Sequence, residues 1–115
     1  MSVLAAYTLI FVHNMSRAVA FYRDALGFEV RISTPAWSEL ELGGALIALH
    51  SGRDKGTRET PLGFKVLNID GVANAVVSHG GFIHAPKRQA TGEPAIIKAG
   101  DTEGNVFFLS ESLGS

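Results

Sequence analysis

Two carboxylates, Glu39 and Glu41, stand two positions apart in the run Trp37-Ser38-Glu39-Leu40-Glu41-Leu42. In an extended strand such residues share a face about 7 Å apart. If buried together they repel and raise each other's pKa unless an arginine or a cationic ligand neutralises them. With Trp37 on the same face as a cation–π surface, the pair can bind a basic group on a ligand. Glu39 is the stronger candidate, because Glu41 adjoins a glycine turn where solvent takes over. His50, at the end of the next strand, is a candidate proton donor, acceptor or hydrogen-bond partner. Ser51 follows it directly, but neighbouring strand residues point to opposite faces, so a Ser-His nucleophilic pair is not supported. His13 and His79 border helix ends, where structural roles are expected. His84 precedes the loop 85–94, whose Lys87, Arg88 and Gly92 form a candidate rim. The chain has no phosphate-cradling glycine loop, no dinucleotide fingerprint and no His-Glu-x-x-His pair.

The elements that must carry these groups can be read from periodicity. Residues 7–12 form an apolar, β-favouring run that stops at Asn14, a helix-capping type. Met15, Ala18, Val19, Tyr22, Ala25 and Leu26 then recur on one helical stripe, and Gly27 sits where a left-handed cap is wanted. Strands are predicted at 28–32, at Trp37–Leu42 and at 45–50, the last two joined by Gly43-Gly44 in a tight hairpin. The polar stretch 51–61 reads as an exposed connection. The order then repeats: a strand over 62–69, a cap at Asp70, a helix over 72–78, a stop at Gly80-Gly81, a strand from Phe82, and a hairpin of 94–100 with 105–110. Aligning Asn14 with Asp70 and Gly27-Phe28 with Gly81-Phe82 yields two β-α-β-β-β modules about 55 residues apart, spanning about 5–52 and 61–112 of a single 1–115 domain.

Composition narrows the class. The 115 residues are 46% apolar and 18% charged, which suits one compact globule with a radius of gyration of about 13 Å. Ten basic against eleven acidic side chains supply no field to hold a polyanion, so a nucleic-acid partner is not expected. The absence of cysteine removes disulfides, thiolate metal sites and thiol nucleophiles. No apolar stretch approaches the roughly twenty residues of a membrane span, and the start of the chain has no secretion-signal pattern; a cytoplasmic protein without membrane contact is expected.

The segment 11–30, FVHNMSRAVAFYRDALGFEV, resembles the opening of a vicinal oxygen chelate module of the glyoxalase, bleomycin-resistance and dioxygenase type. Phe21-Tyr22 and Leu26-Gly27-Phe28 are its most specific pieces. Trp37-x-Glu39-Leu40-x-Leu42-Gly43-Gly44, Gly63-Phe64-x-Val66 and Gly100-Asp101-x-x-Gly104-Asn105 agree with it. The resemblance implies an α+β fold of two modules curving around a cavity, usually in a homodimer in which both chains shape each site. It also implies a divalent cation held by four His, Gln or Glu side chains. The implied stations fall at Tyr7, Ala48, Phe64 and Phe108, none of which is such a ligand. No metal and no other cofactor is therefore expected.

Strand alternation gives the cavity lining separately. It turns Tyr7, Leu9 and Phe11 inward from the first strand, Trp37, Glu39, Ala48 and His50 from the glycine hairpin, Phe64, Val66 and Asn68 from the second module's first strand, and Val106, Phe108 and Ser110 from the last. Tyr7, Leu9, Phe11, Trp37, Phe64 and Phe108 suit an apolar or aromatic small molecule, although such rings can equally pack on one another or on a partner subunit. The leading expectation is metal-independent binding or sequestration of such a compound, as in bleomycin-resistance-like members. A large cationic drug of the bleomycin class fits poorly with a near-neutral surface. The competing expectation is an isomerase, lyase or dioxygenase that uses His50, Glu39 or Tyr7, with or without a metal held by shifted ligands. A third is an interaction module with a filled core.

Overall fold

The computed structural model describes residues 2–54 and 56–113. The first module runs β1 (Thr8–Val12), α1 (Met15–Leu26), β2 (Glu29–Ser33), β3 (Trp37–Leu42) and β4 (Ala45–Ser51). The second repeats it with β5 (Arg58–Val66), α2 (Ile69–Ser78), β6 (Phe82–Arg88), β7 (Ile96–Gly100) and β8 (Asn105–Glu111). Each module makes one four-stranded mixed sheet, ordered β1-β4-β3-β2 and β5-β8-β7-β6. The first strand of each pairs parallel with the last, and the other pairs are antiparallel. The fold is thus α+β, and the sheets do not close into a barrel. With principal extents of 43 × 36 × 21 Å the molecule is flattened, and its 14.3 Å radius of gyration exceeds the value expected of a rounder globule.

Local chemistry explains the boundaries. Asn14 caps α1 by accepting the Arg17 N–H at 3.0 Å, and Gly27 ends it at φ 83°, a left-handed conformation that suits glycine. Gly43 and Gly44, both at positive φ, turn the β3–β4 hairpin and set the expected pairs Trp37 with His50 and Glu39 with Ala48. Pro86 lies in β6, an edge strand, where a missing N–H is tolerated.

Three expectations in the second module are corrected. The cap of α2 is Asn68, not Asp70: Asn68 Oδ1 accepts the Gly71 N–H at 3.0 Å, while Asp70 sits in the first turn and pairs with Lys87. Asn14 and Asn68 are then separated by the same interval as Gly27 and Gly81, so the repeat is more regular than the sequence suggested. The strand predicted over 62–69 runs instead over Arg58–Val66, and the 51–61 connection is correspondingly shorter, because Arg58 N–H bonds the Gly104 carbonyl at 2.8 Å and draws the chain into the sheet early. Finally, Phe64 and Val66 do not face the cavity. Phe64 is in register with Leu109, a fully buried residue on the helix side of β8, and both Phe64 and Val66 pack on the core.

The core lies between the helices and the helix-facing sides of both sheets. At its centre five rings form a closed circuit through the two modules: Phe21–Tyr22 5.3 Å, Tyr22–Phe28 5.8 Å, Phe28–Phe64 5.9 Å, Phe64–Phe107 5.1 Å and Phe107–Phe21 6.4 Å between centroids. These separations suit edge-to-face packing. Gly81 admits this approach, since a Cβ there would collide with the Gly100 carbonyl and the Phe21 ring.

A polar joint accompanies the aromatic one. Buried Glu103 accepts the backbone N–H groups of His13 and Asn14 at 3.0 and 2.7 Å and pairs with Arg17 at 2.7 Å. It therefore places negative charge at the start of α1, the positive end of the helix dipole. Two residues earlier, Asp101 accepts the Tyr22 hydroxyl at 2.6 Å and both the backbone and side-chain N–H groups of Asn105. Asn105 and Arg58 in turn donate to the Phe11 carbonyl at 2.9 and 3.0 Å. The two modules therefore pair within one chain.

Candidate functional site

On β1, Ile10 and Val12 are buried against α1, which forces Leu9 and Phe11 to the other side of the sheet. The same alternation buries Ser38, Leu40, Ile47 and Leu49, and turns Trp37, Glu39, Ala48 and His50 to the side of Phe11. Register then assembles the face: Leu9 lies beside Ala48, which lies beside Glu39, and Phe11 lies beside His50, which lies beside Trp37. Seven of the nine predicted site residues are thus brought together, with Tyr7 joining from just before β1.

The rings touch in sequence. Tyr7 meets Trp37 edge-on at 5.7 Å, Trp37 meets His50 edge-on at 6.0 Å, and His50 meets Phe11 at 5.7 Å. Arg53 lies over the Phe11 ring at 5.3 Å, within cation–π range. Its place in the polar connection gave no sign of this role in the sequence. Tyr7 and Leu9 remain 50% and 40% exposed, so the array lies on an open face. Phe108 lies on the corresponding face of the second sheet, opposite Gly63 and Lys98, and is 43% exposed. Phe64 stands apart from these, helping to wall a cleft of about 480 Å³ with Thr8, Leu46, Pro61 and Lys65.

The polar groups of this face are differently occupied. Arg31 holds Glu41 through Nε and Nη2 at 2.7 and 2.6 Å. The Trp37 indole N–H donates to Glu39 Oε2 at 2.8 Å. His50 Nδ1 lies 2.6 Å from the Ser51 carbonyl, and since a carbonyl only accepts, Nδ1 carries the proton. His79 Nδ1 meets the Ala75 carbonyl at the end of α2, and His13 is tied to the Arg53 carbonyl and Glu103.

The donor set does not fit the divalent cation of the resemblance. Ala48 is a fully buried methyl, Phe108 a hydrocarbon ring, and Phe64 is turned into the core. Tyr7 lies seven residues before the Asn14 cap, and the same interval before the observed Asn68 cap reaches Pro61, which has no side-chain donor either. Among the described residues no group of three His, Cys, Asp or Glu converges to hold a metal. Glu39 and His50 lie near each other diagonally, without a third donor.

A family model described as the Glyoxalase/Bleomycin resistance protein/Dioxygenase superfamily matches residues 4–109. No match was found among curated protein sequences. Among solved structures the chain is similar to the fosfomycin resistance protein FosX of Listeria monocytogenes, with 17% identity over 99% of this chain and 94% of that one and a TM-score of 0.80. It is also similar to a family enzyme of Burkholderia phytofirmans, with 19% identity over 93% and 97% and a TM-score of 0.77. Lactoylglutathione lyase of Agrobacterium tumefaciens follows, with 15% identity over 96% of each chain and a TM-score of 0.73. At these identities the likeness establishes the fold.

Proposed function

The chain belongs to the glyoxalase/bleomycin resistance protein/dioxygenase superfamily, and from that premise we propose that it binds and sequesters a small hydrophobic or aromatic compound on the open face of its first module, without a metal ion. The observation that carries this reading is the run of rings Tyr7, Trp37, His50 and Phe11 across three adjacent strands. Each apolar Å² left in water forgoes about 25 cal/mol of burial, and a flat aromatic guest laid on these rings supplies it. Edges and faces arranged edge-on to one another leave ring surfaces able to take a further ring. A homodimer belongs to the same proposal: a second copy closes the open face, joining Phe108 to the enclosure.

Trp37 is the single tryptophan of the chain, so its emission reports this face directly. Titration with the uncharged probe 2-phenylethanol is expected to show saturable binding, a change in Trp37 emission, and the same affinity after treatment with a chelator. By calorimetry, Trp37→Ala is expected to weaken that binding by about 1–3 kcal/mol. Absence of saturable binding, affinity that vanishes on chelation, or an unchanged affinity in the variant would count against the proposal.

A further inference from the structure

Resting on the proposed aromatic site, we infer that the molecule bound there carries a protonated amine, received by Glu39. The two carboxylates of this face differ in one respect that decides their roles. Glu41 already holds a cation, since Arg31 contacts it twice. Glu39, half-buried, has no cation within ion-pair distance among the described residues. Its Oε2 is satisfied by the neutral indole N–H of Trp37, and Oε1 is left to accept. Its neighbour in register is Ala48, whose methyl offers no donor.

The rest of the face points the same way. The Trp37 donor is already used. His50 spends its Nδ1 proton on the Ser51 carbonyl, which leaves Nε2 as the ring nitrogen turned to other partners. Glu39 is diagonal to His50 across β3 and β4, a spacing of about 7–8 Å between backbones that one ammonium group and its donors can bridge. The rings beside Glu39 favour a cation over their faces. Arg53, the cation seated on Phe11, lies on the far side of His50 from Glu39; it is the group that would instead select an anion.

Three probes of the same shape separate these outcomes: 2-phenylethylamine, its neutral N-acetyl derivative, and the anion 3-phenylpropionate, each titrated calorimetrically against the full chain and against Glu39→Gln. The substitution keeps a side-chain oxygen, now of an amide, for the Trp37 N–H, and unchanged circular dichroism and Trp37 emission establish that the variant is folded. The amine is expected to bind at least about tenfold more tightly than the other two, and the substitution to weaken the amine about tenfold while leaving the N-acetyl compound unchanged. Equal affinities for amine and N-acetyl compound would overturn the assignment to Glu39 while leaving the aromatic site standing. Tightest binding of phenylpropionate would overturn it in favour of Arg53. Failure of all three together with 2-phenylethanol would remove the aromatic site itself.

Discussion

Glu103 shows how much one side chain can hold in place. Burial acts against its ionisation, but the Arg17 guanidinium, the Asn14 N–H and the Thr102 hydroxyl prevail and hold its pKa below the ordinary 4.5. A carboxylate depressed in the folded state adds stability above its unfolded pKa and loses it as pH falls through the folded one. Asp101 has the opposite sign: burial raises its pKa despite hydrogen bonds from Tyr22 and Asn105, so its contribution is present below 3.8 and declines as pH rises through the folded value. Glu103→Gln is therefore expected to cost about 1–3 kcal/mol near neutrality and much less in acid. Urea midpoints measured from about pH 3 to 7 check this, the wild type falling below about pH 4.5 and the variant running flatter. None of this was legible in the sequence. Asp101 drew notice only within a family motif, and Glu103 looks like any acid in a turn because its partners other than Thr102 lie 86 to 90 residues away.

At the scale of elements, signals confined to a few neighbouring residues were readable and signals counted across a strand were not. The Asn14 cap, the Gly27 stop and the Gly43-Gly44 hairpin each depend on local chemistry, and the structure bears them out. The cap moved from Asp70 to Asn68, an even shift that by itself leaves facing unchanged; what failed on β5 was the phase of its alternation, where an error of one residue turns every side chain to the other face. The irregular register between Glu59 and Gly63 would have hidden the true phase in any case. Gly63, not Phe64, is the residue in register with Phe108, and Phe64 packs on Phe28 and Phe107. The reassigned cap is testable by chemical denaturation: Asn68→Ala is expected to cost about 1 kcal/mol, and Asp70→Ala, which loses only an exposed ion pair and a first-turn charge, about 0.5 kcal/mol or less. The reverse order would return the cap to Asp70.

At the scale of the molecule, the duplicated plan was visible in sequence, but how the halves meet was not. At one end each sheet stops at an edge strand, β2 or β6, paired on one side only, and Ile32, Phe82 and Ile83 on these strands are 45%, 60% and 39% exposed. Exposed strand edges of this kind favour pairing with another chain. Light scattering on the purified chain is expected to return twice the chain mass; the mass of one chain would reject the enclosed two-copy site. The joint at Phe11 makes the two halves dependent on each other. Its ring belongs to one half while its carbonyl is gripped by Arg58 and Asn105 of the other, and Glu103 finds its neutralising partner only across the same boundary. Severed at the intervening connection, one fragment would keep a naked charge and the other a helix start stripped of its counter-charge. Each half thus carries a charge, a helix end or a carbonyl whose partner only the other half supplies.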